Sequence, residues 1–184
     1  MNAASDPFLH PGTDVLRNVP GLRDAEQLAA FETAKTAHRI YELERKPVVG
    51  SFDTTHLKAI HQRVFQDVFP WAGQFRTTTV GKAERVGQPP TWFTPPHLLE
   101  HEAQRILDSL QRSNLLRRIQ PIEFARKVAR LLAEINVLHP FREGNGRTQR
   151  LFVEAFANQA GHHLHFDVVS GERMVQASIE ATSG

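Results

Sequence analysis

PIEFARKVARLLAEINVLHPFREGNGRTQRLFVEAFANQAG, residues 121–161, decides how the rest of the chain is read. Pro121 suits the first position of a helix, where its missing N–H and fixed φ cost nothing. Ile122, Ala125, Val128, Ala129, Leu132 and Ile135 then recur at helical spacing and predict a central helix with one apolar stripe. The helix stops at Leu138-His139-Pro140. A second helix starts near Asn145 or Gly146, carries Leu151, Phe152, Ala155 and Phe156 as its inward stripe, and ends at Gly161, a residue suited to a left-handed C-cap. The two helices are joined by His139-Pro140-Phe141-Arg142-Glu143-Gly144, with Phe141 turned into the core to anchor the loop.

The remaining segments agree with a helical fold. Residues 1–20 carry Pro7, Pro11, Gly12 and Pro20 and read as an extended N-terminal arm of turns. From Asp24 to about Arg45, Leu28, Ala29, Phe31, Ala34, Ala37, Ile40, Tyr41 and Leu43 keep helical spacing until Lys46-Pro47. Asp53 to Phe65 repeats the pattern through Leu57, Ile60, Val64 and Phe65, and His97 to Leu110 does so through Leu98, Ala103, Ile106, Leu107 and Leu110. Gly171 to Thr182 also reads as helical. Between Trp71 and Pro96 the texture changes: glycines and prolines punctuate β-favouring pieces such as Phe75 to Val80, which predicts a loop or irregular hairpin inserted in an all-α protein. Trp71 and Trp92 flank it as packing anchors.

With 184 residues and no repeats or linkers, the chain is expected to form one domain over 1–184. Its 22 Lys+Arg against 20 Asp+Glu leave a net charge of +2, too small to indicate direct nucleic-acid binding. No cysteine is present, which removes disulfide, thiolate and Cys-zinc chemistry and is compatible with the cytoplasm. No window approaches the roughly 20 apolar residues of a membrane span, and the N-terminus has no signal-peptide pattern. His162, His163 and His165, and the pair His97 and His101, lack carboxylates at a metal-binding spacing and read as structural or solvated. Arg117-Arg118 reads as a solvated helix end.

The loop between the two helices of the opening stretch carries the chemistry. Gly144 and Gly146 flank Asn145 where a helix begins, so backbone N–H groups can converge on an anion at the positive end of the helix dipole. Arg147 and Arg150, three apart, share a face beside that cradle and can neutralise phosphates. Glu143 supplies a hard oxygen ligand for Mg²⁺, and His139 supplies an imidazole, whose ordinary pKa of about 6.5 suits proton removal near neutral pH. Each feature alone has an ordinary structural explanation: a turn, a solvated arginine pair, a histidine before proline. Their concentration within residues 139–150 points to a built site.

These twelve residues, HPFREGNGRTQR, resemble the Fic-family signature His-x-Phe-x-(Asp/Glu)-Gly-Asn-Gly-Arg-x-x-Arg at every specified position. Phe69 to Arg76, FPWAGQFR, is similar to the stretch that opens the family's flap hairpin, and Asp6 to Leu16 looks like the start of short bacterial Fic toxins. The resemblance implies a Fic fold, a helical bundle with a β-hairpin flap over 71–96, and transfer of AMP from Mg-ATP to a Ser, Thr or Tyr hydroxyl of a target protein. It casts His139 as the base, Glu143 as the Mg²⁺ ligand, Gly144, Asn145 and Gly146 as backbone donors to phosphate, and Arg147 and Arg150 as stabilisers of phosphate charge. Thr79, Val80, Lys82 and Phe93 become candidate flap contacts to a target strand. The flap is longer than usual for the family, and Pro89-Pro90 cannot donate ladder hydrogen bonds.

Two other activities stay open: a Doc-like protein kinase on the same fold, against which Gly146-Arg147 argues, and an inactive strand-binding module, against which the presence of His139 and Glu143 argues. The resemblance to short toxins also suggests a type II topoisomerase subunit as target. Fic proteins are commonly held off by a helix bearing (Ser/Thr)-x-x-x-Glu-(Gly/Asn), whose Glu pairs with the last signature arginine, here Arg150. In this sequence the only Glu followed by Gly or Asn is Glu143, preceded four residues earlier by His139. The expectation is therefore a small antitoxin that supplies the inhibitory helix in trans, the alternative being a longer protein of which these 184 residues are a part.

Overall fold

A computed structural model of the chain describes residues 6–82, 91–166 and 173. Among these are five α-helices: α1 (Ala25–Arg45), α2 (Thr54–Phe65), α3 (Leu99–Arg112), α4 (Pro121–Leu138) and α5 (Asn145–Ala160). A two-stranded antiparallel ladder, β1 (Gly81–Lys82) and β2 (Thr91–Trp92), is inserted between α2 and α3, with Gly81 opposite Trp92. The fold is all-α with a hairpin insertion, as the periodicity predicts.

Sequence chemistry accounts for the helix ends. Asp24 and Asp53 cap α1 and α2 by accepting the N–H groups of Gln27 and His56. Pro121 opens α4, and Gly161 closes α5 at φ 88°. α5 packs against both α2 and α4, and α3 against α4. Phe152 and Phe156, fully buried on α5, meet Phe52 edge-on at 5.7 and 5.6 Å, and Phe124 of α4 stacks on Phe156 at 6.0 Å. Burying such a side chain contributes about 1.5–3 kcal/mol, so α5 and the loop before it are held in place by aromatic packing. A second cluster, of Phe8, Leu28, Leu43, Val64, Phe65, Val68, Phe69 and Trp71, joins α1 to α2 and the turn after it. Arg39 of α1 grips Asp67 through both Nε and Nη2, at 2.7 and 2.9 Å.

Several expectations are corrected. The inward stripe of α4 is Phe124, Val128, Leu131, Ile135 and Leu138, while Ile122, Ala125 and Ala129 are exposed. The larger side chains at 124, 131 and 138 decide which face turns in, because they remove more apolar area from water. On α5 the stripe likewise runs through Phe152, Val153, Phe156 and Ala157, with Leu151 and Ala155 at its margin. Of the α1 positions, Ala29, Ala34, Ala37 and Tyr41 face solvent. Phe75 to Val80 is not a strand; Arg76 turns inward there. The arm is docked rather than extended, with Leu9 bridged to Leu16 and the Val19 N–H donating to the Val68 carbonyl. Trp71 is a packing anchor, stacked on Phe69 at 4.4 Å, but Trp92 is 63% exposed. Pro89-Pro90 lies outside the described residues, as does the helix read over 171–182 apart from Arg173. No described helix is long and apolar enough to cross a membrane.

Candidate active site

The loop between α4 and α5 is built around a catalytic candidate in an uncommon conformation. His139 caps α4 at φ 45°, ψ 59°, in the left-handed region, which costs an L-residue about 1–2 kcal/mol. Its ring stacks on Phe93, with centroids 3.8 Å apart and planes within 11°. Pro140 and Phe141 follow, and Phe141 is buried with its ring stacked at 3.8 Å on His61. The Asn145 side chain closes the loop from inside: Oδ1 accepts the Phe141 N–H at 2.9 Å and Nδ2 donates to the Phe141 carbonyl at 2.8 Å.

The start of α5 is open. Gly144 occupies its cap position at φ 80°, and no side chain caps this N-terminus, unlike the Asp-capped starts of α1 and α2. A Cβ built on Gly146 would meet only the Arg150 Nη1 atom, at 3.6 Å, and otherwise open space. The protein's own packing therefore does not demand glycine at 146. The open space leaves room for a ligand to approach the backbone of the first turn closely. Glu143 is half-exposed beside this turn, its Oε1 accepting the Gly144 N–H at 2.8 Å.

The two signature arginines are placed differently. Arg150 lies next to Gly146, and among the described residues no carboxylate is paired with it. Arg147 reaches across to α1, where Nη2 is ion-paired with Glu32 and Nη1 donates to Thr36 Oγ1 at 3.2 Å. Its guanidinium also lies over the Phe65 ring at 4.8 Å and 3.9 Å from Glu143 Oε1. Arg147 thus ties α5 to α1 and flanks Glu143, while Arg150 is the cation facing the open turn.

The flap is fastened to the end of α4. Beyond the Ile135 carbonyl, which accepts the N–H of His139, the last carbonyls of α4 have no partner within the helix; here the flap supplies several. The Thr94 N–H donates to the Val137 carbonyl at 3.2 Å, and the Arg76 N–H to that of Pro140 at 2.9 Å. The Arg76 guanidinium, 2% exposed, donates to the carbonyls of His139 (2.8 Å), Thr78 (2.7 Å), Thr94 (2.5 Å) and Leu138 (3.4 Å). Burial pushes its pKa down to about 10, still charged at neutral pH. Of the flap candidates, Phe93 is buried against His139, Thr79 is exposed, the Val80 carbonyl already accepts the Phe93 N–H, and Lys82 pairs with Thr91 through its backbone.

A sequence model of the Fic/DOC family matches residues 51–157, more than half of the chain. The chain belongs to the Fic/DOC family. Among curated Fic relatives, it is 39% identical to the probable protein adenylyltransferase y4lH of Sinorhizobium fredii over all of this chain and 91% of that protein. It is 37% identical to the protein adenylyltransferase VbhT of Bartonella schoenbuchensis over 98% of this chain, and spans 37% of that longer protein. Among solved structures, the BepC protein of Bartonella tribocorum, a VirB-translocated effector with bound AMPPNP, superimposes with a TM-score of 0.85 at 29% identity, covering 95% of this chain and 88% of that one.

Around this Fic loop, the sequence reading passed over the residues that hold it. Glu32 and Thr36 lie outside the matched region, yet they fall on the Leu28–Glu32–Thr36 row of α1, where a carboxylate on an inward row is the available signal. His61 sits on the buried stripe of α2 beside Leu57 and Val64. It is fully buried, its Nε2–H donating to the Glu143 carbonyl at 3.1 Å while Nδ1 accepts the Gly73 N–H at 2.8 Å. Asp6 of the arm holds Arg142 at 3.0 Å.

Desolvation pushes the His61 pKa down to about 4. The unfolded chain takes up this proton near pH 6.5 and the folded chain only near 4, so between these values the unfolded state binds more protons and stability rises with pH. His61 stabilisation is complete above about pH 6.5 and is lost as pH falls toward 4, to a total of about 3 kcal/mol. Burial lowers His56 in the same sense. Chemical denaturation between pH 4 and 7 will show this slope, and His61→Gln, which keeps a donor and an acceptor but does not titrate, will show a shallower one.

Proposed function

We propose that this chain is a protein adenylyltransferase that moves AMP from ATP to a Ser, Thr or Tyr hydroxyl of another protein. The observation that carries the reading is the juxtaposition of an intact His139 and Glu143 with the uncapped start of α5, where Gly146 leaves room and Arg150 faces the opening. The names of the relatives, and the AMPPNP held by BepC, support it.

In this reading the N–H groups at the start of α5 and Arg150 bind the phosphates of ATP. His139 takes the proton of the target hydroxyl, whose oxygen attacks the α-phosphorus as pyrophosphate leaves. Glu143 would hold a Mg²⁺ ion, which when bound supplies charge neutralisation between phosphate oxygens. Glu143 fits that role: its carboxylate is at the surface beside the open turn, and among the described residues it meets only the Gly144 N–H and, more distantly, Arg147. The exposed stretch at Thr79, continued by the β1 backbone at Gly81–Lys82, would receive a target strand. The kinase reading is disfavoured by Gly146-Arg147. Intact-mass analysis of lysate proteins after incubation with the enzyme and ATP should find an AMP adduct on a hydroxyl side chain; phosphate adducts instead would overturn the proposal.

Arg150 and Arg147 are expected to differ. Arg150→Ala removes a charge-assisted phosphate contact and weakens binding of an ATP analogue about 10- to 100-fold with little change in stability. Arg147→Ala weakens binding and also lowers the melting temperature, because the tie to Glu32 and Thr36 is lost. Calorimetric titration together with thermal melts checks both.

Regulation and target follow the same reading. The family's inhibitory glutamate acts on the arginine equivalent to Arg150, and an antitoxin carrying that glutamate in trans is the partner proposed here. A type II topoisomerase subunit is the proposed target and the cytoplasm the proposed place of action. Expression of the chain alone should slow growth, and Arg150→Glu should abolish the effect; harmless expression of the unaltered chain would contradict the trans-acting brake.

A further inference from the structure

Arg76 carries a charge into the interior, and no described carboxylate accompanies it. Such burial is costly unless every donor is satisfied. Here the acceptors are backbone carbonyls of two kinds. Leu138 and His139, with Pro140 accepting the Arg76 backbone N–H, belong to the end of α4 and the loop after it, whereas Thr78 and Thr94 belong to the outgoing and returning roots of the flap. The cation also sits at the C-terminal end of α4, where the helix dipole favours positive charge. With the Thr94 N–H on Val137, every carbonyl from Val137 to Pro140 is held by a flap root.

The consequence falls on His139. Its left-handed backbone is disfavoured and persists only where the surroundings fix it. Arg76 Nε holds the His139 carbonyl itself at 2.8 Å, and Arg76 Nη2 holds the carbonyl of Thr94, next to the Phe93 ring that faces the imidazole. One guanidinium thus fixes both the backbone of the histidine and the position of the ring stacked on it. We infer that Arg76 is a positioning residue for His139, pinning the flap to the catalytic loop so that flap, target and imidazole keep one register. A lysine cannot replace this fork, since its ammonium is a single point of donation. The catalytic part of the inference rests on the adenylyl-transfer reading; the structural part does not.

The test uses the full chain and two readouts. By NMR, the His139 ring protons in the unaltered protein should be displaced by the ring current of Phe93, and a through-hydrogen-bond coupling should link Arg76 Nε–H to the His139 carbonyl. Absence of that coupling would overturn the inference without any variant. In Arg76→Gln the His139 ring protons should move toward their ordinary shifts. Transfer should fall about 10²-fold in kcat, the scale of a misplaced catalytic group, with ATP-analogue affinity unchanged because the α5 turn is untouched. Arg76→Lys should lie between, and it serves the same measurement if the glutamine variant does not fold. Unmoved His139 resonances, or an unchanged kcat, in a folded variant would overturn the proposal. If the unaltered enzyme shows no transfer at all while the resonances behave as described, the functional reading fails and the positioning of His139 stands.

Discussion

His139→Ala will lower the rate of AMP transfer by about 10²–10⁴-fold, the usual scale for loss of a general base, while leaving the affinity for an ATP analogue nearly intact. The separation follows from where the groups sit. His139 closes α4, whereas the open N-terminus, Gly146 and Arg150 belong to α5, so the imidazole can be deleted without touching the proposed phosphate side. Alanine tolerates the left-handed backbone less well than histidine does. His139→Asn, which accepts that conformation and cannot serve as the base, is the better matched control. Single-turnover transfer and calorimetric titration of the same preparations check the prediction; equal losses in rate and nucleotide affinity would place His139 on the phosphates instead.

Gly144→Ala will damage the site by another route. At φ 80° any side chain is strained, and a Cβ there would stand 2.3 Å from Cζ of Phe65, a ring with no exposed surface. Left-handed strain of about 1–2 kcal/mol and overpacking of about 1–3 kcal/mol add to an expected loss on the order of 2–5 kcal/mol. Phe65 lies under the Arg147 guanidinium and beside His61, so a displaced ring disturbs two supports of Glu143 together. Denaturant unfolding measures the loss. Phe65→Leu in the same chain should recover part of it by making room, because the two positions are in contact and their effects do not add.

The helices were legible because the signals are local. Asp24, Asp53, Pro121 and Gly161 mark ends by capping and φ preference, and the apolar repeats mark the lengths between. Which face turns inward was less legible: on α4, Ile122 and Ala125 keep the period as well as Phe124 does, and only the volume of the facing helices selects the phenyl ring. The candidate loop stood out because its histidine, carboxylate, glycines and arginines sit within one short stretch. Its supports could not, since Glu32 lies 115 residues from Arg147 and Arg76 lies 63 from His139. The flap shows the limit most clearly. Phe75 to Val80 has strand-forming composition, yet Arg76 spends its backbone N–H and all its guanidinium nitrogens on loop and flap carbonyls, which takes the segment out of any ladder.

AMP transfer itself is tested most directly by incubating the purified chain and Mg²⁺ with a bacterial lysate and ATP labelled at either the α- or the γ-phosphate. Label entering a protein band from α-labelled ATP only, and disappearing with His139→Ala, is the predicted result. Label entering from γ-labelled ATP only would show phosphoryl transfer and contradict it.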